Sequence, residues 1–308
     1  MASLPVTHLP LLDERQINDL ITTGMALQPA SSRHPVISGK AGELTSIRQG
    51  SGMDFDDLRH FQTGDDQKHI DWRASARSQK TLLRTYFAEF DQPVFFVIDR
   101  QASMRFGSHK HLKVTQAVRI ALWLSGIFLQ AGHDIGGMLL GQADNRPESH
   151  THNWFEQRAG YDSLRYFALE ACAACPPIEP VLCQWRQVFS TLKQQLPAGS
   201  KLYILSDFNS LQTNDINMLR MLGQHFDTKA IRIYDPLEKQ VGRLQGLQLY
   251  WDKHSFQADK PEQIKLLKQN TVKHESFLAD EFKKAGIAYH EVSTTLDDFG
   301  QLQLEIFR

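Results

Sequence analysis

The sequence predicts an α/β fold: a doubly wound, mostly parallel sheet with helices on both faces. Three observations carry this. From Pro93 onward, strand-like apolar runs alternate with helical segments, the rhythm of a parallel sheet covered by crossover helices. The run Val94-Phe95-Phe96-Val97-Ile98-Asp99 is β-branched or aromatic up to a closing acid and reads as a fully buried strand. A second such run, Lys201 to Ser206, is followed by Asp207. A carboxylate where a central parallel strand meets its loop stands at the mouth of the sheet, where such folds bind ligands.

Taken in order, residues 1–32 read as a leader with one short helix. Asp13 caps Glu14 to Thr22, and Gly24, Pro29, Ser31 and Ser32 break the pattern. Residues 33–92 form a segment dense in Gly, Asp, Arg and His, packed on the main domain. It holds nine Lys/Arg and nine Asp/Glu, so the signs cancel and the segment is ion-pair-rich, not a basic stripe. Thr81 to Phe90 leads in as a strand. The main domain, 93–308, opens with the strand Val94–Asp99. A long helix, Lys110 to Ala131, is apolar nearly all round between Ile120 and Leu129 and so deeply buried, with Gly132 as its C-terminal cap. Ile135 to Leu140 is the next strand. Helices follow at Arg158 to Ala174 and Val181 to Leu196, each stopped by proline. The strand Lys201–Ser206 comes next, then a helix over Asn214 to Phe226 and strands at Ala230 to Tyr234 and Leu247 to Trp251. A long helical stretch, Lys260 to Ala285, a strand at Ile287 to Val292 and a closing helical extension, Leu296 to Phe307, complete the chain.

With 308 residues of ordinary globular composition, the chain can bury a sizeable core. A formal net charge of −1 excludes a strong field toward nucleic acid or anionic lipid. Three cysteines argue against a disulfide framework and for a reducing compartment. Met1 to Leu12 lacks the pattern of a signal peptide. The apolar stretch Ile120 to Leu129 is far short of the ~20 residues a bilayer needs. The expectation is a cytoplasmic protein with no membrane insertion and no nucleic-acid partner.

Residues 50–77 carry a family signature. The block Gly50-Ser51-Gly52-Met53-Asp54-Phe55-Asp56-Asp57-Leu58-Arg59-His60-Phe61-Gln62-Thr63-Gly64-Asp65-Asp66 and its continuation Ile70-Asp71-Trp72-Arg73-Ala74-Ser75-Ala76-Arg77 resemble the "domain of unknown function 58" proteins. The positions that carry the resemblance are Gly52, Phe55, Leu58, Arg59, Gly64, Asp65, Asp66, Asp71, Trp72, Ala76 and Arg77. Met104, Phe106 and Gly107 fit the pattern further on, as do Ser206-Asp207-Phe208 and Asp235-Pro236-Leu237-Glu238; the resemblance covers about residues 40–300. It implies a von Willebrand factor A-like domain behind a family-specific polar segment. It also implies work beside a MoxR-type AAA+ ATPase on protein clients, as an adaptor or co-chaperone without catalysis of its own.

The same resemblance implies a metal-ion-dependent adhesion site holding Mg²⁺ through the loop motif D-x-S-x-S. Asp99 and Ser103 match its first and last positions, and Asp207 matches the aspartate after the later strand. Gln101 replaces the first serine, and the threonine of a further loop has no clear match; Ser163 is the substitute on offer. Mg²⁺ wants hard oxygens in octahedral array, so the expectation is a degenerate site with its metal weak or lost. In the bland alternative, Asp99 and Ser103 cap the following turn.

A competing reading is a metal-dependent hydrolase built on Asp65, Asp66, His69 and Asp71. Their spacing fits no known ligand motif. In the structural reading, Trp72 and Phe61 are buried anchors and Arg59, Arg73 and Arg77 pair with the acids. Cys172 and Cys175 have the spacing of a redox pair but not its setting. No phosphate-binding loop and no nucleophile elbow occur.

Overall fold

The computed structural model describes residues 11–27, 55–61, 70–78, 80–86, 93–141, 151–154, 161–172, 185–240, 248–251, 254–257 and 261–307. In chain order they form α1 (Glu14–Met25), β1 (Phe55–His60), α2 (Trp72–Ser78), β2 (Leu82–Tyr86), β3 (Val94–Asp99), α3 (Lys113–Gln130), β4 (Ile135–Leu140) and β5 (Thr151–Trp154). Then come α4 (Tyr161–Ala171), α5 (Trp185–Gln195), β6 (Lys201–Ser206), α6 (Ile216–His225), β7 (Asp227–Tyr234) and α7 (Pro236–Lys239). The chain closes with β8 (Gln248–Trp251), β9 (His254–Gln257), α8 (Pro261–Lys284), β10 (Ala288–Ser293) and α9 (Gly300–Ile306).

The chain divides into two compact units, residues 33–91 and the rest. In the smaller one, β1 and β2 pair antiparallel, and Ile70 bridges to Leu83. Asp71 starts α2, its Oδ1 accepting the main-chain N–H groups of Arg73 and Ala74. Trp72 corrects an expectation: it is 69% exposed and no buried anchor. As the residue after the capping Asp71, it stands on the open first turn of a seven-residue helix that buries none of its side chains. Phe61 is half-buried, and Arg73 and Arg77 are exposed.

The larger unit is a six-stranded sheet in the order β10-β7-β6-β3-β4-β5. The first five strands run parallel, and β5 is antiparallel at the edge. Alternation within β3 feeds two cores. Val94, Phe96 and Ile98 join residues of α1, α3, α4 and α9 on one face; Phe95 and Val97 join residues of α5, α6 and α8 on the other. Each face of a parallel strand is thus covered. β3, β4 and β6 have the bounds their apolar runs predict. β5 and β9 were not foreseen: neither four-residue strand carries a long apolar run.

Two helix ends differ instructively. α1 runs through Gly24 to Met25, past the break expected after Thr22. Gly24 lies against the main chain of Trp123 and Gly126, and Gly126 against that of Ile21, so a side chain at either position would collide with backbone. Here the glycines let two helices touch instead of ending one. α3 closes on Gly132 in the left-handed region (φ 85°). His133 N–H donates to Phe128 O and Gly132 N–H to Leu129 O, a Schellman closure. No described helix is long and apolar enough to cross a membrane.

Candidate functional site

Chain order locates the site. From β3 the chain moves to β4 on one side, then returns to β6 on the other and continues to β7 and β10. The winding therefore reverses between β3 and β6, and the crevice at the carboxyl ends of two such strands is where open α/β sheets take ligands. Asp99 ends β3, and Ser206-Asp207 ends β6.

Asp99 is fully buried. Its Oδ1 accepts the main-chain N–H of Gln101 (2.8 Å), and its Oδ2 accepts the hydroxyl of Ser206 (2.6 Å) and the Gln101 side-chain amide (3.2 Å). Burial pushes its carboxyl up to about 6, the nearby charge of Asp207 adds to that, and the Ser206 and Gln101 donors hold it back. The Gln101 amide also donates to Ser210 Oγ (3.1 Å), which accepts from Trp185 Nε1 (2.9 Å). Gln101, where the motif wants serine, thus ties Asp99 to the β6 loop.

That loop is strained. Phe208 has φ 55°, a conformation rare for a bulky side chain. Its ring is buried against Trp185 and Phe282, and its N–H donates to Ser206 Oγ (2.8 Å). Packing holds a backbone geometry that orients both Ser206 and Asp207. Non-glycine strain of this kind gathers at functional sites.

Asp207 accepts from Asn209 N–H (3.0 Å) through Oδ1, and from Asn209 Nδ2 (2.9 Å) and the ammonium of Lys113 (2.8 Å) through Oδ2. Lys113 also donates to Glu238 Oε1 (2.6 Å). Burial works against this ammonium, but Asp207 and Glu238 outweigh it and hold its pKa above the usual lysine value. Lys113 is the first residue of α3, a position where the helix dipole disfavours a cation; its own N–H donates to Phe106 O. Beside it, Asp235 fastens three loops. Its carboxylate accepts the N–H and hydroxyl of Ser108, the N–H of Leu237 and the hydroxyl of Thr294. Against burial, the Ser108, Leu237 and Thr294 bonds keep its pKa low.

The candidate residues fall as follows. Asp99, Gln101 and Asp207 meet at the mouth. Ser103 lies half-buried on the 3₁₀ turn Ala102–Arg105 beside them. Ser163 lies in the first turn of α4; no hydrogen bond among the described residues links it to Asp99 or Asp207. Ser206, not Ser163, brings a hydroxyl to Asp99. Among the described residues, no three His, Cys, Asp or Glu side chains gather as a metal-ligand set. In the polar block, Asp71 is spent on capping α2, while Gly52, Gly64, Asp65, Asp66 and His69 lie outside the described residues. Phe55, Leu58 and Arg59 are on β1, and Ala76 is exposed on α2. Cys172 is a buried free thiol that burial pushes up to about 12; Cys175 lies outside the described residues. Lys113, Ser206 and Glu238 are the participants that sequence reasoning missed as site residues.

Fold and site together define an α/β protein whose acids are held by its own chain at the sheet's switch point. A family model described as "Protein of unknown function DUF58" matches residues 57–250, more than half of the chain, which therefore belongs to that family. Uncharacterized proteins of Mycobacterium bovis and of Mycobacterium tuberculosis are each 26% identical to it over 98 residues, 32% of this chain and 31% of theirs. The match thus spans about a third of the length of these curated relatives.

Proposed function

We propose that this chain is a non-enzymatic protein-interaction module of von Willebrand factor A-like build. It works in the cytoplasm as an adaptor between a MoxR-type AAA+ ATPase and protein clients, through the mouth of the sheet around Asp99, Ser103 and Asp207. The observation that carries this reading is that both carboxylate oxygens of Asp99 and of Asp207 already accept hydrogen bonds from the chain. A general base must also be reached by the substrate's proton, and here both carboxylates are buried, Asp99 fully and Asp207 at 2% exposure over the whole residue. What the mouth offers instead is a shaped, strained and internally satisfied surface.

The residues do not suit a Mg²⁺ centre of the expected kind. Gln101 turns its amide nitrogen to Asp99, the Ser206 hydroxyl is spent on the same carboxylate, and Asp207 is neutralised by an ammonium. Mg²⁺ takes hard oxygen ligands in octahedral array, and the Lys113 ammonium on Asp207 repels a second cation there. The contact is accordingly metal-independent.

Retention of a MoxR-type ATPase from the same genome by the tagged chain tests this. Wild type retains it with or without a chelator. Ala102→Trp, an exposed residue of the 3₁₀ turn, lowers retention about tenfold at an unchanged melting temperature. If neither protein retains the ATPase, the ATPase partnership fails; if Ala102→Trp retains it fully, the mouth is not the contact.

A further inference from the structure

The two carboxylates on Lys113 are not equivalent. Asp207 is 3% exposed and is held further by Asn209. Glu238 is 27% exposed and stands on α7, a helix of four residues. Its second oxygen accepts only one further bond among those described, from the N–H of Asp235 (3.0 Å). One side of the ammonium is therefore locked into the protein, and the other reaches solvent through Glu238. Phe106, 38% exposed, stands beside it with its ring centroid 6.0 Å from Nζ, an apolar wall next to a cation.

We propose that Lys113 is a receiving cation and Glu238 its exchangeable internal occupant, so that the partner this mouth fits is a protein segment presenting an acidic side chain. The proposal rests on the interaction reading above and names what that surface recognises. Exchange trades one carboxylate for another on the same ammonium, so the buried charge stays balanced. It gives up the Glu238 bond to Asp235 and gains the aliphatic stem of the incoming residue against Phe106. In the free protein, Glu238 fills the side of the ammonium that Asp207 leaves open and selects against ligands that bring no negative charge, since a buried charged donor left without its acceptor is costly.

The probe is a tetraglutamate peptide with blocked ends, with tetraglutamine as control, titrated calorimetrically into the full chain. Three forms are compared: wild type, Glu238→Gln, and Glu238→Gln combined with Lys113→Met and Asp207→Asn. The triple variant removes the buried pair together, leaving no unpaired buried charge to unfold it. Glu238→Gln should bind tetraglutamate about tenfold or more tightly than wild type, tetraglutamine should not bind, and the triple variant should lose the gain. No gain in Glu238→Gln, or a gain that survives in the triple variant, overturns the proposal. Peptide exchange that behaves as expected while no ATPase is retained supports the proposal and removes only the ATPase partnership.

Discussion

The Lys113 ammonium lies 2.8 Å from Asp207 Oδ2, and the two side chains are 1% and 3% exposed. The partners are 94 residues apart in sequence, and the pair binds the first turn of α3 to the end of β6. Such a pair is a poor source of net stability, yet breaking it from one side is expensive, because the survivor is buried and charged. Lys113→Met should therefore cost roughly 3–5 kcal/mol in urea unfolding. Adding Asp207→Asn should recover most of that loss. A double variant as unstable as the single one would show that the loss comes from packing, not charge.

Asp99 gives a pH dependence of definite sign. Its carboxyl is raised from 3.8 to about 6, first by burial and then by Asp207. The folded state thus holds the proton more tightly than the unfolded chain. This contribution favours folding at acid pH and is lost as pH rises from about 4 to about 6, by roughly 2–3 kcal/mol at 1.36 kcal/mol per pKa unit. Asp99→Asn should flatten that part of the stability profile. Unfolding free energies at pH 4.5 and 7 measure it, and an equal slope in both proteins would exclude Asp99 as the cause.

Gly24 and Gly126 make a prediction by sign. Alanine in place of glycine inside a helix ordinarily stabilises by about 0.5–1 kcal/mol. Here an added Cβ would meet the backbone of the facing helix. Gly24→Ala and Gly126→Ala should each destabilise, by about 1–3 kcal/mol. A raised melting temperature for either variant would contradict the α1–α3 contact.

Titration with Mg²⁺ or Mn²⁺ should give no site at or below about 1 mM in wild type, since Lys113 already balances Asp207 and Gln101 stands where the motif needs a serine oxygen. Asp99→Ala should give the same trace. A wild-type site at that affinity, lost in Asp99→Ala, would restore the adhesion-site metal.

How much of this could be read from the sequence follows from how local each cause is. β3, β4 and β6 are buried on both faces, so their signal is a plain apolar run and their bounds came out right. The Gly132 cap is equally local. The role of Lys113 is not, because its partners arrive from β6 and α7. Its one local sign is a lysine opening an apolar helix, where the dipole offers a cation nothing. Ser206 was visible as a landmark, but its bond to Asp99 spans 107 residues. Trp72 was misjudged because an aromatic beside charges was taken for an anchor, although α2 is too short to cover it.

Asp235 has a mechanical consequence. Ser108, Leu237 and Thr294 belong to three connections leaving the carboxyl ends of β3, β7 and β10, and one carboxylate gathers them. A pull on any one of these loops is carried to the other two. Whatever grips this rim grips the ends of three strands through a single carboxylate.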